Sequence, residues 1–95
     1  MNKYESVVII NPSLEGEAIK ALISKFSDLI NTNGKVDSVE ELGNKKLAYE
    51  IKKFKSGYYF LFVVEATKEA IDEFDHVVRI NENLLRHLVV KKENN

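Results

Sequence analysis

The side chains that could do chemistry in this chain are few. His76 and His87 belong to no H-x-x-x-H or H-E-x-x-H spacing, so neither pairs with a second imidazole on one helical face to hold zinc. Ser6, Ser13, Ser24, Ser27, Ser38 and Ser56 lie outside any G-x-S-x-G turn that would expose a nucleophile. Glu40 and Glu41 are adjacent, and on a strand adjacent side chains point to opposite faces, so they form no acid–base dyad. Gly16, Gly34, Gly43 and Gly57 lack the spacing of a phosphate loop. The chain has no cysteine, which removes a thiolate nucleophile, a disulfide framework and Cys-ligated metals. Catalysis, metal and cofactor are therefore not expected. What remains is charge: Lys45, Lys46, Lys52, Lys53 and Lys55 cluster in one stretch, with Arg79 and Arg86 further on.

The elements that must position these cations follow from hydrophobic period. Tyr4 to Ile10 reads as a strand ended by Asn11-Pro12, because proline cannot donate to a ladder. Leu14, Ala18, Ile19, Leu22, Ile23, Phe26, Leu29 and Ile30 recur in steps of three and four and predict a helix. Ser13 is its expected N-cap and Asn33-Gly34 its expected left-handed stop. Lys35 to Lys53 predicts a long strand with a bulge at Gly43, and Lys55-Ser56-Gly57 the turn after it. Tyr58 to Ala66 alternates as a third strand. Thr67 should cap a second helix bearing Ala70, Ile71, Phe74, Val77 and Val78. Leu84 to Val90 is the last strand, with fraying expected from Lys91.

The order βαββαβ, with right-handed crossovers, puts both helices on one face of a four-stranded antiparallel sheet. This is an α+β, ferredoxin-like architecture with expected strand order 4-1-3-2, one domain spanning residues 1–95. Glu5 and Glu65 mark which side of the first and third strands meets water, since an unpaired carboxylate is costly to bury. The helix-free face should then carry Val7, Ile9, Tyr59, Leu61 and Val63, a candidate contact patch.

Net charge is −1, whereas a chain that neutralises many phosphates by itself is usually strongly basic. Nucleic-acid binding would need local clustering or a basic partner. The acids Glu15, Glu17, Asp28, Asp72, Glu73 and Asp75 fall on the two helices, away from the lysine cluster, so a neutral molecule can still carry a local positive field. Lysines on a strand edge also guard against aggregation, and spacing alone does not separate the two roles. The opening residues lack a signal-peptide pattern, and no apolar run approaches the ~20 residues of a membrane span. A soluble cytoplasmic protein is expected.

The same architecture hosts RNA-recognition domains, but Gly57-Tyr58-Tyr59-Phe60-Leu61 lacks the second small residue of their aromatic signature. It also hosts dimeric small-molecule regulatory modules and acylphosphatase-like enzymes. The latter want an arginine after the first strand, where this chain has Asn11-Pro12-Ser13.

A family likeness rests on particular residues: Tyr4-Glu5, Asn11-Pro12, Glu41-Leu42-Gly43, Leu47-Ala48-Tyr49-x-Ile51-x-Lys53, Gly57-Tyr58, Val64-Glu65 and Arg79-Ile80-x-x-Asn83 before Arg86. In these, from Tyr4 to about Lys92, the chain resembles the bacterial small-subunit ribosomal protein six family. It departs in having Leu42 where that family often has tryptophan, Glu50 for proline, and Asn44 and Lys45 for arginines. The resemblance implies a non-enzymatic scaffold of the ribosome that binds the central domain of 16S ribosomal RNA together with small-subunit ribosomal protein eighteen. That partner is basic, which suits the near-neutral charge here. It implies no small-molecule substrate and no membrane. The expected RNA contacts are Lys45, Lys46, Lys53, Arg79 and Arg86, with Lys3 and Lys91 as lesser candidates. The expected partner contacts are Val7, Ile9, Tyr59, Leu61 and Val63.

Overall fold

The computed structural model describes residues 1–92. The elements are β1 (Asn2–Ile10), α1 (Gly16–Asn33), β2 (Gly34–Ile51), β3 (Phe54–Ala66), α2 (Lys68–Arg79) and β4 (Leu84–Lys92). The four strands form an antiparallel sheet in the order β2-β3-β1-β4, which is the expected 4-1-3-2 read from the other edge.

Strand alternation sorts side chains by face. Tyr4, Val8 and Ile10 of β1 and Phe60, Phe62 and Val64 of β3 turn to the helices and are buried. Ile19, Phe26 and Ile30 of α1 and Ile71, Phe74 and Val78 of α2 close over them. Phe74 is the hub: its ring meets Phe26 edge-on at 6.2 Å and Phe62 at 6.0 Å. Ala18, expected on the buried stripe of α1, is exposed.

Both helix ends of α1 differ from expectation. The N-cap is Glu15, without a side-chain cap bond. Ser13 lies in the turn before it, where its amide donates to Asn11 Oδ1 at 2.8 Å, an Asx turn that reverses the chain after Pro12. At the other end Gly34 is extended (φ −168°), so it is no left-handed stop. The need for glycine is space: a Cβ there would lie 2.5 Å from the Glu65 carbonyl oxygen of β3. The strand starts without a loop, and Asn31 Oδ1 accepts from the Val36 amide at 3.0 Å. Thr67 does cap α2, accepting from the Ala70 amide at 3.1 Å.

The β2–β3 hairpin also turns earlier in the chain than its sequence suggests: β2 ends at Ile51 and β3 begins at Phe54. The tip is Lys52-Lys53, between the paired Ile51 and Phe54, and not Lys55-Ser56-Gly57, which lies inside β3. Both tip lysines have positive φ, 50° and 70°, the requirement of a type I′ turn. Gly43 bulges as expected, with φ 89° and a register shift beside it. A larger irregularity follows. Between the Lys46–Ser56 and Ile51–Phe54 pairs, β2 contains Leu47 to Glu50 where β3 has Lys55 alone. The surplus bends the hairpin over the helix-free face. There Leu47 buries itself against Ile9 and Leu85 in a second, smaller core, flanked by Ile51, Phe54 and Tyr59. Lys91 and Lys92, expected to fray, are paired in β4 with Tyr4 and Lys3 of β1.

Candidate nucleic-acid and partner interface

The helix-free face is built from alternate residues of β1, β3 and β4, edged by Glu40 and Lys45 of β2. β1 contributes Glu5, Val7 and Ile9; β3 contributes Tyr59, Leu61, Val63 and Glu65; β4 contributes Arg86, Leu88 and Val90. Val7, Tyr59, Leu61 and Val63 are half-buried and adjacent through the β1–β3 register. Ile9 shares the face but is only 4% exposed, roofed by Leu47 and Leu85, so it supports the surface and offers no contact area of its own. Leu88 and Val90, 43% and 62% exposed, extend the apolar strip to the β4 edge; β4 carries no acid to mark which of its sides meets water, so the sequence holds no sign of them.

Charge is distributed unevenly along this face. At the end where β1 begins, cations are matched: Lys3 lies 3.5 Å from Glu65, and Lys92 lies 3.3 Å from Glu5. Lys3 and Lys35 also approach Asp37 at 3.9 and 3.8 Å. At the hairpin end they are not matched. Between Asn44 and Gly57 five lysines stand against one acid, Glu50. Lys45, Lys46, Lys53 and Arg86 make no ion pair among the described residues. Lys45 Nζ stands 5.9 Å from the Tyr59 ring centroid, at the outer limit of a cation–π contact. Arg86 Nη1 donates to Tyr49 Oη at 3.0 Å, and Lys52 Nζ donates to the Leu84 carbonyl at 2.7 Å. These two bonds hold the hairpin against β4.

The expected cations do not all share one surface. Lys45 and Arg86 lie on the open face and Lys53 at the hairpin tip nearby. Lys46 is on the opposite side of β2 by alternation. Lys3 is at the far end, among its acids. Lys91 falls on the helix side beside Tyr4 and Asp72. Arg79 is engaged elsewhere: its Nε reaches both oxygens of Asp75, at 2.8 and 2.9 Å, and its Nη2 donates to the His87 carbonyl at 3.3 Å.

Asp75 leads to a buried polar network. His87, 1% exposed, has Nδ1 2.7 Å from Asp75 Oδ1, and its Nε2 meets the hydroxyl of fully buried Ser6. A carboxylate only accepts, so Nδ1 carries the proton and Ser6 donates to Nε2. This is the order of a serine–histidine–aspartate relay, but the Ser6 oxygen lies in the core with no route for a substrate. Phe74 packs edge-on against the imidazole at 5.5 Å. Burial is the main cause that pushes the His87 pKa below its ordinary 6.5, against the raising effect of the Asp75 hydrogen bond. Across the helix side, the Tyr58 hydroxyl donates to Glu41, which holds that phenol above its ordinary value.

The family model for ribosomal protein S6 matches residues 3–91. The chain belongs to the ribosomal protein S6 family. Its structure superposes on the 30S ribosomal protein S6 of Thermotoga maritima with a TM-score of 0.90 and 30% identity, covering 96% of this chain and 87% of that one. A protein of Arabidopsis thaliana matches with a TM-score of 0.58 and 18% identity, covering 100% of this chain and 96% of that one, a likeness of fold alone. This S6 family member is thus a small-subunit ribosomal protein. The family is one of structural ribosomal proteins.

Proposed function

We propose that this S6 family member binds the central domain of 16S ribosomal RNA together with small-subunit ribosomal protein eighteen. One observation carries the reading: among the described residues, the open face joins an apolar centre to cations that lack an acid at its hairpin end. RNA would meet Lys45, Lys53 and Arg86 first, with Lys46 reaching a strand that wraps the β2 edge. Arg79, Lys3 and Lys91 would contribute less, the first two because acids already hold them. The partner would cover Val7, Tyr59, Leu61 and Val63 over the floor set by Ile9. A near-neutral chain neutralises few phosphates alone, so the basic partner supplies the remainder. Reconstitution tests this. A central-domain RNA fragment, mixed with the chain and the partner separately and together, should be held most tightly by the pair. Equal retention by the partner alone and by the pair would reject a role for this chain in RNA binding.

A further inference from the structure

The hairpin's bend creates a groove on the open face. It encloses about 170 Å³, below the roughly 300 Å³ at which drug-sized pockets begin. Buried Ile9 and Leu47 form its floor, half-buried Ile51 and Tyr59 its sides, and exposed Tyr49 and Arg86 its rim. Among the described residues no aspartate or glutamate lines it. Tyr49 is 64% exposed, an aromatic ring left in water although the chain has bent to place it there and Arg86 fixes its hydroxyl. The cavity is a slot the size of one ring system, with the Tyr59 ring at its side, the Tyr49 ring and Arg86 on its rim, and Lys45 beside Tyr59.

We infer that this slot seats a single unstacked base of an RNA strand, with the phosphates beside that base on Arg86 and Lys45. The inference rests on the RNA reading above and deepens it. Paired bases in an A-form helix are stacked and shielded, whereas unpaired bases are held by aromatic faces and arginine planes. Charge favours a nucleotide over an apolar side chain of a protein: Arg86 and Lys45 have no anion among the described residues, and a nucleotide carries one. Of the five apolar residues expected to meet the partner, Val7, Ile9 and Tyr59 line the slot, and Leu61 and Val63 lie outside it. Val7 and Tyr59 then stand at the border between base and partner, and Leu61 and Val63 carry the part of the protein contact that the base does not share.

The test uses the whole chain, a short oligouridylate and a blunt RNA duplex of equal length. The Tyr49 and Tyr59 ring resonances should move with the single strand and not with the duplex. Tyr49→Ala should weaken single-strand binding about ten-fold or more, and Tyr49→Phe should retain most of it. Arg86→Gln should weaken it as well. Tyr49 is exposed, so its truncation gives up the Arg86 bond but little burial, and Tyr49→Phe, which also lacks that bond, separates its loss from the loss of the ring. If Lys45→Ala weakens single-strand binding and Tyr49→Ala does not, the slot is refuted while RNA binding stands. If Tyr49→Ala instead releases the protein partner and leaves RNA affinity intact, the slot belongs to that partner and the inference fails. If neither RNA form binds, with or without the partner, both readings fall together.

Discussion

His87 Nδ1 lies 2.7 Å from Asp75 Oδ1, so β4 and the helix that covers it are tied by a hydrogen bond at the edge of the core. Ser6 of β1 completes the tie from the other side of the imidazole, and Arg79 steadies the aspartate. Every buried side-chain nitrogen and oxygen among the described residues has a partner, which is what makes a histidine tolerable beneath Phe74.

This tie makes stability depend on pH. The folded His87 has its pKa lowered, chiefly by burial, while the unfolded chain titrates near 6.5. Below 6.5 the unfolded state therefore binds more protons, and stability falls as pH drops through that window toward the folded pKa, then levels off. The urea midpoint should decline between pH 7.5 and about 5.5, above the range where carboxylates titrate. The Ser6→Ala/His87→Leu variant should lack most of that decline. An equal decline in both proteins would assign it elsewhere.

The same network should be non-additive. Ser6→Ala alone leaves the His87 Nε2 acceptor buried without a donor and should cost about 1–3 kcal/mol. Adding His87→Leu removes the orphaned group. The double variant should thus be more stable than the sum of the two single losses implies, by about 0.5–3 kcal/mol in a denaturation cycle. Strict additivity would show that the hydrogen bond does not couple the residues.

Gly34→Ala should destabilise the fold although its backbone conformation suits any residue. The new methyl would meet the Glu65 carbonyl, part of the β2–β3 ladder, and a backbone atom cannot swing aside. A loss of about 1–3 kcal/mol is expected, as for overpacking elsewhere, read as a lower melting temperature. An unchanged melt would mean that the start of β2 can slide outward.

Leu61→Asp should release the protein partner without unfolding the chain. Leu61 stands at the centre of the open face, directly opposite Glu40 in the ladder. The new like-charge pair costs about 0.2–1 kcal/mol, small beside a domain's stability of about 5–15 kcal/mol. Co-purification of the partner should be lost while circular dichroism is retained. Undiminished co-purification would move the interface off this face.

Much of the fold was legible because its signals are local. The α1 stripe, the Thr67 cap, the Gly43 bulge and the alternation of β3 each report their own few residues, and together they determine the strand order. The misplaced features depend on distant partners. Lys52-Lys53 carries no turn signature, since lysine has no preference for positive φ, and the nearest glycine, Gly57, pulls the expected turn toward itself. Gly34 reads as a helix stop, but its size is set by a carbonyl of β3. Ile9 looks exposed until the surplus residues Leu47 to Glu50 bend the hairpin over it. The Ser6–His87 bond spans 81 residues. One signal for it was present: Ser6 and His87 are polar residues on the helix-facing side of otherwise apolar strands, and two such positions in adjacent strands must satisfy each other or water.

The most direct measurement is the salt dependence of binding to a central-domain 16S RNA fragment, with the protein partner present. If the hairpin end is the RNA surface, Lys45→Ala and Lys53→Ala should each lower the slope of log affinity against log salt by about 0.7–0.9, while Lys3→Ala, among its acids at the other end of the sheet, should leave it unchanged. Equal slopes in the wild-type chain and both hairpin variants, or a loss confined to Lys3→Ala, would contradict the account.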